Sequence, residues 1–342
     1  MMRSDIAVFR MLLSLFIFYP ITPFDRSKWC GLVWDALHFW SIAHKGYEEE
    51  SAMAFFPGLP VAVNVLSGIF WYIPKLYIGY IFVNTCIWMA TTEIDAISHQ
   101  LQQSKYTYLF FLFTPQSYLL STWYTEMPFA LFSFKAIRYL HNDKPYHAIA
   151  LFSIASCFRS NGIVHIGYLA WYVLRQLLLK HHLALGPICC SPLILMPFLL
   201  FQWYGYAQFC PGRPWCDGFF SYGYIQTVYW QSGFLLHFQW KHLLNFLTVI
   251  PLFLAIILHM PSIPSHGIKA FLVHPLTPHR ILLYFYLVYG FLFMHVSTTL
   301  RLISSVPMFY MAMANGNRHT DCLYMVYFVI TWITGMAFLP PA

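Results

Sequence analysis

Charge is what this sequence has least of. Its 342 residues include nineteen Lys and Arg and twelve Asp and Glu, so only 9% carry a formal charge. Soluble globular chains carry about 25%. So few charges cannot cover an apolar content of 59%, which excludes a soluble enzyme, a disordered protein and a nucleic-acid-binding domain. No run of basic residues exceeds two charges, so the net +7 sets loop orientation and marks no nucleic-acid footprint. The eight cysteines form no CxxC pair, which argues against a zinc site. No phosphate-binding Gly-rich loop, HExxH or GxSxG is present, so nucleotide-dependent chemistry has no support. No Asn-x-Ser/Thr sequon occurs, so no N-glycan is expected, and no period near 20–50 residues indicates repeats.

What is present is apolar and aromatic. Phe, Tyr and Trp make up 20% of the chain, which suits interfacial belts and a groove inside a bilayer. A helix crosses the hydrocarbon core with about 20 apolar residues. Candidate spans are 6–24, 59–73, 76–97, 106–123, 127–140, 146–158, 163–179, 183–204, 243–260, 281–296, 302–314 and 322–339. Several are short, so an all-α polytopic membrane protein of roughly 9–12 transmembrane helices is expected. The first span is read as uncleaved, because Tyr19-Pro-Ile-Thr-Pro-Phe24 follows it where a signal peptide has small residues.

Polar stretches at 25–57, 205–241 and 261–280 interrupt the spans. Arg3, the group Lys135, Arg138 and Lys144, then Lys180, and finally Lys269 with Arg280 mark the cytosolic side. The loops 25–57 and 205–241 then face the lumen. Counting every span does not return the chain to the right side at Lys135. Either one segment of 59–97 does not cross fully, or 127–140 is not a span.

Five polar groups stand out. Asp35, set among Trp34 and Ala36, does more than solvate a loop, whereas Glu48 and Glu49 need no further role. Partial desolvation at such a depth favours proton acceptance from a hydroxyl. Glu126, in Tyr124-Thr125-Glu126, either orients a sugar hydroxyl, pairs with an arginine, or serves as an N-terminal charge for the next helix. Arg159 suits a phosphate with its planar fork, or else snorkels to the interface. His295 reads in isolation as a core histidine. Arg301, six residues on, is a second phosphate candidate, and a helix end is expected between the two. Cys210 and Cys216 enclose two prolines in a polar loop; a disulfide is expected in an oxidising lumen, with free thiols as the alternative.

Together these residues resemble the PIG-V family of glycosylphosphatidylinositol (GPI) mannosyltransferases. The resemblance rests first on Trp34-Asp35-Ala36 with His38-Phe39, Gly46-Tyr47, Glu50 and Ala54-Phe55-Phe56-Pro57. It continues through Tyr124-Thr125-Glu126 with Phe129-Ala130-Leu131, and Arg159-Ser160-Asn161-Gly162. The second loop matches through Pro214-Trp215-Cys216, Tyr224-Ile225-Gln226, Tyr229-Trp230 and Gly233-Phe234-Leu235, followed by Asn245-Phe246-Leu247. His295-Val296, Arg301 and Pro307 close the series. The chain departs from the pattern at Leu37, where an acid is common, at Ser297, where Gln is usual, and at Leu302, where Phe is common.

The resemblance implies a single GT-C-type glycosyltransferase domain over 1–342, in the endoplasmic reticulum membrane, with a lumenal active site. It implies transfer of the second mannose, in α-1,6 linkage, from dolichol-phosphate-mannose to the mannosylated GPI precursor. No cofactor or metal is implied, because the donor has no diphosphate. In yeast-like systems such enzymes work with a small membrane partner subunit. Asp35 is then the base, and Arg159 and Arg301 hold the phosphate. Trp34, His38, Glu50, Glu126, Asn161, Trp215, Gln226 and His295 are assigned to substrate binding. Another dolichol-phosphate-sugar-dependent transferase is the nearer alternative. A transporter is the farther one, but it predicts inverted repeats, and the sequence shows none.

Overall fold

A computed structural model describes residues 32, 34–115, 117–181, 183–218, 220–240, 243–263 and 267–337. The expected span 6–24 lies outside them. No strand occurs among the described residues; the chain is a helical bundle.

The first loop holds α1 (Asp35–Lys45) and a short 3₁₀ helix (Glu50–Ala54). It leads into α2 (Gly58–Ile69) and the long α3 (Lys75–Gln100). The stretch 106–123, expected as one span, forms two short helices, α4 (Thr107–Leu112) and α5 (Ser117–Leu120). Pro115 lies in the break: it has no N–H to donate and disfavours helix in Thr114 before it.

Next come α6 (Glu126–His141) and α7 (Pro145–Phe158), a second 3₁₀ helix (Ser160–His165) and α8 (Ile166–Lys180). The turn between α6 and α7 is tight because Asp143 takes φ 55°, a left-handed conformation that Asp tolerates better than most residues. Pro145 opens α7 where no intrahelical N–H is needed.

Then follow α9 (Leu185–Cys190), α10 (Pro192–Phe209), α11 (Tyr222–Val228), α12 (Leu243–Leu258) and α13 (Ile268–Val273). The last four helices are α14 (Thr277–Phe293), α15 (Val296–Ile303), α16 (Pro307–Ala314) and α17 (Arg318–Ala337). The helix end expected between His295 and Arg301 falls earlier. α14 stops at Phe293, and Arg301 rides on α15, which ends ahead of Pro307.

Helices α3, α6 and α7 form the centre, and α10 packs on α7. Trp123 is fully buried, donates its indole N–H to Leu76 O at 3.0 Å, and lies against Gly79. A Cβ at Gly79 would come within 2.1 Å of the Trp123 ring, so only glycine permits this approach of α3.

The bundle has two distinct ends. At one, Arg138 pairs with Glu93 at 2.5 Å, Gln176 donates to Asp143 at 2.9 Å, and Lys180 meets Asp143 at 3.5 Å. At the other lie Asp35, Glu126, Arg159 and Arg301, a length of α6 away, about 24 Å. Helix α2 stays at this second end. Gly58 packs on Phe158 where it begins, and Lys75, just after it, donates to Ala43 O at 3.0 Å. At 12 residues it measures about 18 Å, short of a bilayer core of about 30 Å. The expected span 59–73 is therefore the segment that does not reach the far end.

Among the described residues, two helical runs, Ser160–Lys180 and Leu185–Phe209, are long and apolar enough to cross a membrane. In the second, Leu193, Leu199, Leu200 and Trp203 are exposed. An outward apolar face of this kind suits a lipid environment.

Candidate active site

Four helix ends converge on one charged cluster. Asp35 is the first residue of α1 and Glu126 the first of α6, where the positive end of the helix dipole favours a carboxylate. Arg159 follows the C-terminus of α7, and Arg301 lies in the last turn of α15, the end that favours a cation. Arg301 Nη1 meets Asp35 Oδ2 at 2.7 Å, and its Nε donates to Glu126 Oε1 at 2.5 Å. Arg159 Nη1 reaches the same Glu126 oxygen at 2.5 Å. The Arg301 guanidinium also lies 4.8 Å from the centre of the Tyr124 ring.

Glu126 is 1% exposed and the two arginines 13% and 15%, so these pairs are shielded from water. Arg159 does not snorkel. Its Nε donates to Asn161 Oδ1 at 3.2 Å, and Asn161 Nδ2 donates to Tyr286 OH at 3.0 Å. Two carboxylates face two guanidiniums, so the cluster is formally neutral.

The cluster floors a cavity of about 490 Å³. Asp35, Arg159 and Arg301 line the floor, together with Asn161. Gln226, Trp230 and His237 from the second loop form one wall, beside His295, whose ring lies edge-on to His237 at 5.7 Å. Phe198 of α10 and Phe285 and Tyr289 of α14 form an aromatic wall, and the two α14 residues also reach the outer surface. The two guanidiniums offer N–H donors to an anionic group, and the aromatic side chains offer apolar surface beside them. Among the described residues no three His, Cys, Asp or Glu side chains gather to hold a metal.

The remaining sequence-selected residues lie elsewhere. Trp34 is exposed and takes φ 50°, a left-handed conformation strained for a bulky side chain, immediately before Asp35. His38 stacks on Phe55 at 4.5 Å and lies edge-on to Trp230 at 5.1 Å. Burial pushes its pKa below the usual histidine value, although Asp35 and Glu49 pull it the other way.

Glu50 is buried away from the cavity lining. It accepts from the Trp215 indole N–H, from Tyr229 OH at 3.2 Å, and pairs with Arg213 Nε at 3.3 Å. Its partners all belong to the second loop, in which Cys210 and Cys216 form a disulfide. Glu50 and Trp215 therefore clasp the two loops together. Trp230 and His237 are cavity residues without a local sequence signal: Trp230 belongs to the Tyr229-Trp230 motif, but neither residue carries a charge that marks it out of an aromatic loop.

The sequence pattern of the family described as Mannosyltransferase (PIG-V) matches residues 21–272. A human protein named GPI alpha-1,6-mannosyltransferase 2 is 29% identical over 272 residues, covering 64% of this chain and 54% of the relative. GPI mannosyltransferase 2 of Schizosaccharomyces pombe is 28% identical over 348 residues, covering 90% and 73%. The protein of that name in Yarrowia lipolytica is 27% identical over 325 residues, covering 91% and 87%. The chain thus spans about half the length of the human relative it matches. No solved structure matches.

Proposed function

Because this chain belongs to the PIG-V mannosyltransferase family, we propose that it is a GPI α-1,6-mannosyltransferase. It transfers the second mannose from dolichol-phosphate-mannose to the first mannose of the GPI precursor. The observation that supports this reading is that Asp35, Arg159 and Arg301 line one cavity together with the aromatic side chains of Phe198, Phe285 and Tyr289. A carboxylate, two guanidiniums and an apolar channel are the groups a polyprenyl-phosphate sugar donor requires.

The donor's mannose is β-linked and the product α-linked, so one in-line displacement inverts the anomeric carbon. Asp35 accepts the proton of the acceptor hydroxyl as its oxygen attacks that carbon. The bond from the carbon to the phosphate oxygen breaks, and its electrons leave with dolichyl phosphate. Arg301 and Arg159 stabilise the charge that develops there. Arg301 already holds Asp35, so the arriving phosphate must compete for its guanidinium. That competition releases the base as the donor docks.

In this reading the chain is a multi-pass GT-C protein of the endoplasmic reticulum. The end of the bundle with Asp35 and Arg301 is lumenal and the end with Arg138 and Lys180 cytosolic. The fold supports that orientation by separating these two groups by a helix length. A small membrane partner subunit belongs to the same proposal. Complementation of cells lacking the second GPI mannosyltransferase tests it. Restored precursor elongation is expected; persistence of the singly mannosylated precursor with the chain inserted would sink the reading.

A further inference from the structure

Buried indole N–H groups seldom lack an acceptor, because an unmade hydrogen bond away from water is costly. Three tryptophans here obey that rule. Trp123 donates to Leu76 O at 3.0 Å, Trp171 to Leu272 O at 2.9 Å, and Trp215 to Glu50. Trp230 is the exception. Its Nε1 is shielded from solvent and finds no acceptor among the described residues, and the side chain lines the cavity.

The ring is firmly placed. His38 and Phe55 meet it at 83° and 89°, each with centroids 5.1 Å apart. The preceding residue, Tyr229, is tied to Glu50. The same cavity is lined by Gln226 and Ser232, whose backbones are joined by a 2.9 Å bond from Ser232 N to Gln226 O. A neutral N–H beside a side-chain amide and a hydroxyl matches the hydroxyls of a sugar. A phosphate is matched instead by the two guanidiniums of the cavity lining, for which it competes with their carboxylate partners.

We propose that Trp230 is a saccharide-binding residue whose Nε1–H donates to a hydroxyl oxygen of a mannosyl group in the cavity. The inference rests on the proposed mannosyl transfer, in which both donor and acceptor carry a mannose. The experiment separates these two sources.

The full chain in detergent is assayed as wild type and as Trp230→Phe, which keeps an aromatic ring and removes the donor. One lost neutral hydrogen bond predicts a rise of roughly three- to tenfold in KM for one substrate, with kcat within about twofold. A rise for the acceptor places the hydroxyl there; a rise for dolichol-phosphate-mannose places it on the donor. Monodeoxy analogues of the affected sugar supply the second leg of a cycle. The analogue lacking the contacted hydroxyl should bind less well to the wild type and lose nothing more in Trp230→Phe. Unchanged KM values for both substrates, or an equal further loss with every analogue, would overturn the proposal. If Trp230→Phe does not fold, Trp230→Tyr replaces it. If neither variant accumulates, a wild type indifferent to every deoxy analogue overturns the proposal.

A wild type without transfer activity would refute the proposed function separately. Trp230 is then judged by thermal stabilisation with methyl α-mannoside. Stabilisation of the wild type and not of the variant supports the assignment; equal stabilisation, or none in either, overturns it.

Discussion

Arg301 and Asp35 form an ion pair at 2.7 Å, so the proposed base and the proposed phosphate ligand hold each other before substrate binds. Glu126 takes the other side of the same guanidinium and also holds Arg159. The four side chains therefore act as one unit, and substitutions in it should not add independently.

Asp35→Asn keeps the shape of the side chain but removes the base. Turnover should fall by roughly 10²–10⁴, the usual contribution of a positioned base. Donor affinity should hold or improve, because Arg301 loses a competitor for the phosphate. Steady-state assays on correctly inserted protein, with donor and acceptor varied separately, check both parts. Near-normal turnover would place the base elsewhere.

Arg301→Ala should abolish most donor binding and also destabilise the fold, since it leaves Asp35 without its cation and Glu126 with Arg159 alone. Removing one member of a buried pair costs about 3–5 kcal/mol. Arg301→Lys keeps the charge, loses the two-pronged grip, and should be intermediate. Arg159→Lys should not be silent, because Arg159 bonds Glu126 and Asn161 through different nitrogens. Thermal melts alongside donor titrations separate the fold defect from the binding defect.

Glu50→Ala removes the acceptor shared by Trp215 and Tyr229. The cost should be about 1–3 kcal/mol, with faster proteolysis of the second loop and little change in donor affinity. Cys210→Ser should give the same proteolytic signature, and non-reducing peptide mapping of the wild type should recover Cys210 and Cys216 in one linked fragment. A Glu50 variant with intact loop protection and a selective rise in acceptor KM would return Glu50 to the substrate.

His38 makes acid pH unfavourable to this loop. Its pKa is depressed in the folded chain, so the unfolded chain takes up the proton first as pH falls. Stability should be level above the ordinary histidine range and decline once pH drops below about 6.5. His38→Phe should flatten that decline in a melting series from pH 8 to 5. An identical slope in the variant would exclude His38 as its source.

Asp35, Arg159 and Arg301 could be chosen from sequence because a lone charge in an apolar setting is conspicuous. Asn161 and His295 came with them and line the cavity too. Glu50 was assigned to substrate only through the resemblance; its partners lie more than 160 positions away, and no local pattern shows that Trp215 and Tyr229 will close on it. Trp230 and His237 carried the opposite problem, since an uncharged ring in an aromatic-rich loop has no contrast. Helix positions followed hydropathy well. The exceptions were the break at Pro115, the reach of α2, and the expected span 302–314, where α15 ends at Ile303 and Pro307 opens the eight-residue α16, because hydropathy measures apolar length and is blind to where a segment begins and ends in space.

The neutral floor has a consequence for selectivity in a crowded bilayer. An open pair of arginines would attract every phosphate headgroup within a Debye length, about 8 Å in physiological salt, and not only the proposed donor. Here Asp35 and Glu126 cancel that pull. A passing headgroup feels little attraction and must displace a carboxylate to stay. A ligand that also fills the wall of Gln226 and Trp230 and the aromatic wall can meet that demand, so in the proposed reading the resting partners of the two arginines select against other phosphate headgroups.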